Sequence, residues 1–193
     1  RIEVIPNGVS LDDDKGYGSL NEHFPELVSR RYVLFLGRLH HKKGLDLLAE
    51  AWAVVNAVTQ GVTLVMAGPD EDGSITDFRS RISSAGLDDT VVELGAVYGD
   101  AKWALLQECA CFVLPSRQEG FSVTVLEAMA SGKPVVITRE CHFDGVEAAD
   151  AGIVSELDST QLADALLRLL GSDALSETMG ANGRQLVEDR YQW

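Results

Sequence analysis

The sequence predicts an α/β protein: a Rossmann-like parallel sheet with helices on both faces. Three observations carry this. Short apolar runs alternate with longer amphipathic windows along the chain. Those runs lack polar alternation, as expected of strands covered on both faces. No repeat, low-complexity run or internal linker divides the 193 residues, a length that holds one full α/β domain with a real core. Strands that alternate with helices imply parallel pairing through crossovers.

Tyr32 to Leu36 reads as a central strand, and Gly37 permits a sharp turn at its end. Lys42-Lys43-Gly44 opens a helix in which Leu45, Leu48, Trp52 and Val55 recur at helical spacing and face a core. Val62 to Ala67 is a second strand, followed by a helix from Ile75 to Ala85. Val91 to Leu94 is a third, ended by Gly95, with a helix over Asp100 to Cys109. Cys111 to Leu114, stopped by Pro115-Ser116, is a buried strand. The helical window Val123 to Ala130 closes at Ser131-Gly132 and Pro134. Pro134 to Ile137 and the short Gly152 to Val154 complete the strands. Amphipathic helices over Ser159–Leu170 and Leu175–Glu188 are separated by Ser172-Asp173. Asp12-Asp13-Asp14 through Pro25 is polar and reads as a surface loop rather than a metal site.

Hydrophobic content of 46% and charged content of 24% are ordinary for a globular protein. A formal net charge of −14 argues against a nucleic-acid or anionic-membrane surface. It also makes the basic cluster Arg38, Lys42 and Lys43 more informative, because that cluster stands against the overall balance. The three cysteines are odd in number, and Cys109-x-Cys111 has no second pair to complete a zinc site. They read as reduced, buried thiols. No signal peptide, membrane-spanning run or lipidation motif is seen, so the expected location is cytoplasmic.

Residues Glu119 to Glu127 read EGFSVTVLE and say most about chemistry. Glu119 falls in the loop at a strand's carboxyl end, and Glu127 a short way into the following helix. Between them, the N–H groups of Phe121, Ser122 and Val123 form a helix N-terminus, a natural seat for phosphate. An ionised carboxylate only accepts hydrogen bonds, and vicinal hydroxyls offer two donors side by side. Phosphates at the helix start with a polyol on each carboxylate describe a nucleotide sugar. Without that context, Glu119 is a solvated loop residue and Glu127 a surface helix residue. Arg38 and Lys43 flank a second βα loop at a strand's carboxyl end, where open α/β sheets bind ligands. Lys42 reads as solvated. His40 and His41 lack a spaced partner set and read as loop residues rather than metal ligands.

These residues resemble the E-x7-E signature and the G-R-x(4)-K-G loop of the retaining glycosyltransferases of the GT-B fold, in the large family 4 group. The resemblance implies that Glu119 meets the hydroxyls of the donor sugar and Glu127 those of the ribose. Amides around Gly120, Phe121, Ser122 and Val123 would hold the diphosphate and sugar. Gly37, Arg38 and Lys43 would lie on the diphosphate, with Arg38, Lys43 and Glu119 as the catalytic set, acting without a metal. The base pocket would lie near Gly95 to Tyr98, with Val97 among its contacts; Tyr98 reads either as a base platform or as a packed surface tyrosine. No cofactor is implied. The nucleoside diphosphate sugar is substrate, a UDP-sugar first and a GDP-sugar second.

The resemblance covers nearly the whole chain, but only the donor-binding half of a GT-B enzyme. Residues 1–30 resemble the segment entering that half, 31–188 its core, and Arg190 to Trp193 the start of the last helix. The amino-terminal acceptor domain would be absent, together with any peripheral membrane contact it makes, and the fragment would be inactive in transfer. One departure stands out. Family members often carry Gly-Gly-x-x-Glu where this chain has Arg139 to Val146, so His142 and Asp144 receive no role. Other readings are a non-catalytic nucleotide-binding domain, a phosphorylase or an epimerase. Neither G-x-G-x-x-G nor G-x(4)-G-K-[ST] occurs, which argues against redox Rossmann enzymes and ATPases.

Overall fold

The computed structural model describes residues 7–9 and 17–193. The first half contains α1 (Leu20–His23), β1 (Arg31–Leu36), α2 (Leu45–Val58), β2 (Val62–Ala67), α3 (Ser74–Ser84) and β3 (Val91–Gly95). The second contains α4 (Gly99–Glu108), β4 (Cys111–Leu114), α5 (Val123–Ala130), β5 (Val135–Thr138), α6 (Asp144–Ala148), β6 (Gly152–Ser155), α7 (Ser159–Leu170) and α8 (Asp173–Arg190). The strands form one six-stranded sheet in the order β3-β2-β1-β4-β5-β6, and every neighbouring pair is parallel.

Each predicted strand is present, for a common reason. β2, β4 and β5 are buried at every position and β1 at all but Arg31, so uninterrupted Val, Leu, Ile and Phe are what a two-sided cover selects. β3 is one of the two edge strands and only half-buried. Its exposed Glu93 takes a forked ion pair from Arg79, which places charge on an edge that would otherwise invite pairing. α2 packs against α3 and α7, while α5 packs against α4 and α8, giving the two helical layers. Trp52 and Tyr32 fill the centre, and the Tyr32 hydroxyl donates to the Leu105 carbonyl at 2.7 Å. Helix starts are capped as their sequences suggest: Asp158 accepts from the Gln161 N–H at 2.8 Å, and Ser172 from the Leu175 N–H at 3.2 Å.

The predicted surface loop ending at Pro25 needs correction. Leu20–His23 is a helical turn followed by a 3₁₀ turn over Pro25–Leu27, with Leu27 buried; Asp12 to Asp14 lie outside the described residues. The Arg139–Val146 segment likewise holds a 3₁₀ turn and the start of α6, pinned by buried Cys141, Phe143 and Val146. All three cysteines are buried and unpaired with one another. Burial pushes the Cys109 thiol up to about 12 and moves Cys111 and Cys141 the same way, so none is a ready nucleophile. Among the described residues, no helix is long and apolar enough to cross a membrane.

Candidate functional site

The strand order reverses between β1 and β4, and at such a switch point the two following loops diverge and leave a crevice. Here those loops are Gly37–Gly44 and Pro115–Ser122. Hydrogen bonds fix their spacing: the Arg117 N–H and the Ser116 hydroxyl both donate to the Lys42 carbonyl, at 2.6 and 3.0 Å. A forked Arg117–Asp46 pair, 2.7 Å on each arm, ties the second loop to α2 and holds the Asp46 carboxyl below its usual range. Gly44 makes the approach possible. It sits in left-handed conformation at φ +68, and a Cβ there would fall 2.0 Å from the Pro115 carbonyl oxygen. On the other flank, Leu39 donates to Pro69 at 2.8 Å and accepts from Glu71 at 3.1 Å, so the β1 loop is held from both sides.

A cavity of about 420 Å³ opens at this switch point, with Arg38, Lys43, Glu119 and Gly120 in its lining. The structure thus brings together residues from two separate motifs, Arg38 and Lys43 from one and Glu119 and Gly120 from the other. It also couples them in a way the sequence did not suggest. The Lys43 ammonium donates to Glu119 Oε1, and these side chains are only 15% and 11% exposed. Arg38 is largely exposed and donates to Glu71 Oε2 at 2.8 Å. Lys42 is exposed, as expected.

α5 begins at Val123, with Ser122 as its N-cap accepting from the Val125 N–H at 3.4 Å. Among the described residues, the N–H groups of Gly120, Phe121, Ser122, Val123 and Thr124 have no protein acceptor. The array of free donors therefore runs one residue further at each end than the three first named, and stops where the cap begins. Phe121 commits its ring to a cluster with Phe143 and Tyr191, at centroid distances of 5.3 and 6.0 Å. Its part in any ligand site is through its backbone, and its side chain anchors the loop.

Glu127 does not line the cavity. It is buried, and its Oε1 accepts from Lys102 of α4. The picture of a surface helix residue is therefore wrong for Glu127. Val97 is buried just before α4, whereas Tyr98 is 72% exposed, so the packed-tyrosine alternative fails.

His40 and His41 gain a partner invisible in their own loop. Asp72, after β2, brings the ligand atoms of the three within 4.8 Å of one another. The hydrogen bonds show how this cluster is used. His40 Nδ1 accepts from the Lys42 N–H at 3.2 Å, which puts the proton of the neutral ring on Nε2, facing Asp72 at 3.6 Å. A metal-ligating histidine needs the opposite arrangement, with the second nitrogen donating outward. Asp72 is already occupied by Ser74, by the His41 ring at 2.9 Å and by the His41 N–H at 3.1 Å, which together hold its carboxyl well below the usual range. The cluster braces the β1 and β2 loops. Sequence reasoning also missed Glu71, Arg117 and Lys102. Each acts across tertiary contacts, and no local spacing announces such a partner.

A parallel sheet of this order, with a crevice at its switch point, defines a doubly wound α/β domain. The chain belongs to the glycosyl transferases group 1 family, whose model matches residues 30–172. It is 33% identical to a phosphatidyl-myo-inositol mannosyltransferase of Mycobacterium leprae, a match spanning 98% of this chain and 49% of that protein. The chain thus spans about half the length of this relative. The solved carboxyl-terminal domain of a group 1 glycosyl transferase, LpcC of Francisella tularensis, superimposes with a TM-score of 0.82 at 23% identity. That match covers 96% of this chain and 99% of the other. Anabaena HepE, solved with UDP and glucose, gives 0.85 at 23% identity over 98% of this chain and 53% of HepE. The fold is that of the carboxyl-terminal domain of GT-B glycosyltransferases.

Proposed function

We propose that this chain is the donor-binding half of a retaining, metal-independent glycosyltransferase that moves a hexosyl group from a nucleoside diphosphate sugar to a sugar or glycan acceptor. The observation that carries the reading is the convergence of Arg38, Lys43, Glu119 and Gly120 on one switch-point crevice, with the free amides of Phe121 to Thr124 following directly in the chain. Anions seat on such amides, and two cations beside them match a dianionic leaving group. On this reading Lys43 and Arg38 each hold an internal carboxylate, Glu119 and Glu71, where a phosphate would sit. Donor binding exchanges them. Lys43 and Arg38 turn to the diphosphate, and Glu119 is released to accept from sugar hydroxyls. Glu127 takes the ribose diol, and Val97 lies at the base.

In the complete enzyme the acceptor hydroxyl oxygen forms the new bond to the anomeric carbon, whose bond to the diphosphate oxygen breaks. The acceptor proton passes to a diphosphate oxygen on the same face, and configuration is retained. Arg38 and Lys43 balance the charge that builds on the departing diphosphate. The acceptor belongs on a second domain. Without it this chain forfeits the proximity term, which reaches about 7–11 kcal/mol, and so binds donor without transferring it.

The relative named as a mannosyltransferase and the structure holding UDP and glucose point to different donors. The decisive titration therefore compares UDP-glucose with GDP-mannose, and UDP with GDP. Glu127→Gln should weaken nucleotide and nucleotide sugar alike, by about 1–3 kcal/mol. Glu119→Gln should spare the bare nucleotide and weaken only the sugar-bearing ligand. Identical responses of the two variants to both ligands would refute the division of labour, and a chain that binds none of the four would refute the donor site.

A further inference from the structure

We infer that Lys102 is a positioning residue of the nucleotide site, holding Glu127 in the orientation that reads the ribose diol. This rests on the reading of Glu127 as the ribose ligand. Lys102 lies in the first turns of α4, directly after the Val97–Tyr98 segment, and Glu127 lies in α5. Their side chains are 22% and 10% exposed, and the Lys102 ammonium sits on Glu127 Oε1. Glu127 Oε2 has no protein donor among the described residues. One oxygen is thus committed to the protein and the other remains to accept from a ligand.

The arrangement does for Glu127 what the helix alone does not. A carboxylate this far from water needs a cation nearby, since a lone charge in such surroundings is strongly disfavoured. A glutamate has three side-chain torsions, and a fixed ammonium on one oxygen selects among their rotamers. Lys102 is itself clamped: its Nζ lies 5.0 Å from the centroid of the Trp103 ring. That ring stacks on Tyr17 at 5.2 Å with an interplanar angle of 22°. A mobile surface lysine could not aim a carboxylate, whereas one held between an aromatic face and a buried acid can. The pair also joins the segment expected to touch the base to the residue expected to touch the ribose, so both halves of a nucleoside would meet one rigid unit.

A plain brace between α4 and α5 would give the same contacts, and the test separates the two roles. UDP and GDP are each titrated calorimetrically against their 2′,3′-dideoxy counterparts. The wild-type chain should prefer the ribose forms by about tenfold or more, the scale of one charged hydrogen bond. Lys102→Met should bring that preference close to unity while leaving the dideoxy affinities unchanged. Lys102→Arg, which keeps the charge, should retain most of it. Lys102→Gln, closer in polarity, serves as a second neutral variant should the methionine variant fold poorly, with circular dichroism as the check. Equal loss for ribose and dideoxy forms, an unchanged preference in both neutral variants, or a preference lost in Lys102→Arg as well would overturn the inference. Glu127→Gln distinguishes its failure from that of the underlying reading. A preference that survives Glu127→Gln removes Glu127 from the ribose. One that collapses there but persists in the neutral Lys102 variants removes only Lys102.

Discussion

Replacing Lys43 by methionine tests how much the Lys43–Glu119 ion pair holds the crevice together. Methionine keeps most of the aliphatic stem and removes the ammonium. Glu119, 11% exposed, then loses its cation. Removing one partner of a fully buried pair costs about 3–5 kcal/mol. Both side chains retain slight exposure, 15% for Lys43, so water recovers part of this, leaving about 2 kcal/mol. For a chain of this length that lowers the melting temperature by roughly 4–8 °C. The double variant Lys43→Met/Glu119→Gln leaves no lone charge and should return to within about 1 kcal/mol of wild type. Urea-induced equilibrium unfolding of the four proteins in the cycle gives the numbers. A single variant as stable as wild type, or a double variant as unstable as the sum of the singles, would refute the reasoning. A charge-balanced double variant that still binds nucleoside diphosphate as wild type does would remove Lys43 from the phosphates.

Two further predictions follow from the loops that set the crevice. Gly44→Ala combines a left-handed backbone with a Cβ 2.0 Å from the Pro115 oxygen, and should cost about 3 kcal/mol or more; Gly73→Ala, equally left-handed at φ +78 but with nothing within 4 Å, should cost only about 1–2 kcal/mol. Equal losses in thermal unfolding would show that the approach of the two loops is not tight. Asp46 has its pKa lowered first by the hydrogen bond from Arg117, so its contribution is present above the unfolded value of about 3.9 and is lost as pH falls through the lower folded value. The stability gap between wild type and Asp46→Asn should therefore stay constant from about pH 7 to 5 and close below about pH 4. With a third of the side chain exposed, the gap should not exceed about 1 kcal/mol. A gap that widens in acid would contradict the assignment.

The sheet was legible because its strands are covered on both sides. A run such as Val62 to Ala67 has no room for a polar residue on either face except Thr63, and it announces itself. α1 and α6 were not legible. A helix of four or five residues has no full period to display, and each exists because neighbours such as Leu27 or Phe143 hold it down. The same divide runs through the site. Glu119 and Glu127, and Arg38 and Lys43, could be picked out because a turn fixes what lies near what over a few residues. Their partners could not. Lys102 reaches Glu127 from another helix, Asp72 reaches the histidines from another loop, and the Lys43–Glu119 contact depends on β1 and β4 lying side by side. Both ends of that contact read as ligand contacts along the chain, whereas in the folded chain they pair with each other.

In the proposed function, ligand phosphates sit on the amides between Glu119 and Val125. The most direct measurement is ¹⁵N–¹H correlation NMR of this chain titrated with UDP, GDP and their sugars. The amides of Gly120 to Thr124 and of the Gly37–Gly44 loop should shift first and most, with smaller changes at Val97 and Lys102 and none near Lys133 and Asp173 at the opposite, amino-terminal edge of the strands. A ligand that moves the Lys133–Asp173 region and leaves Gly120 to Thr124 unmoved would contradict the account.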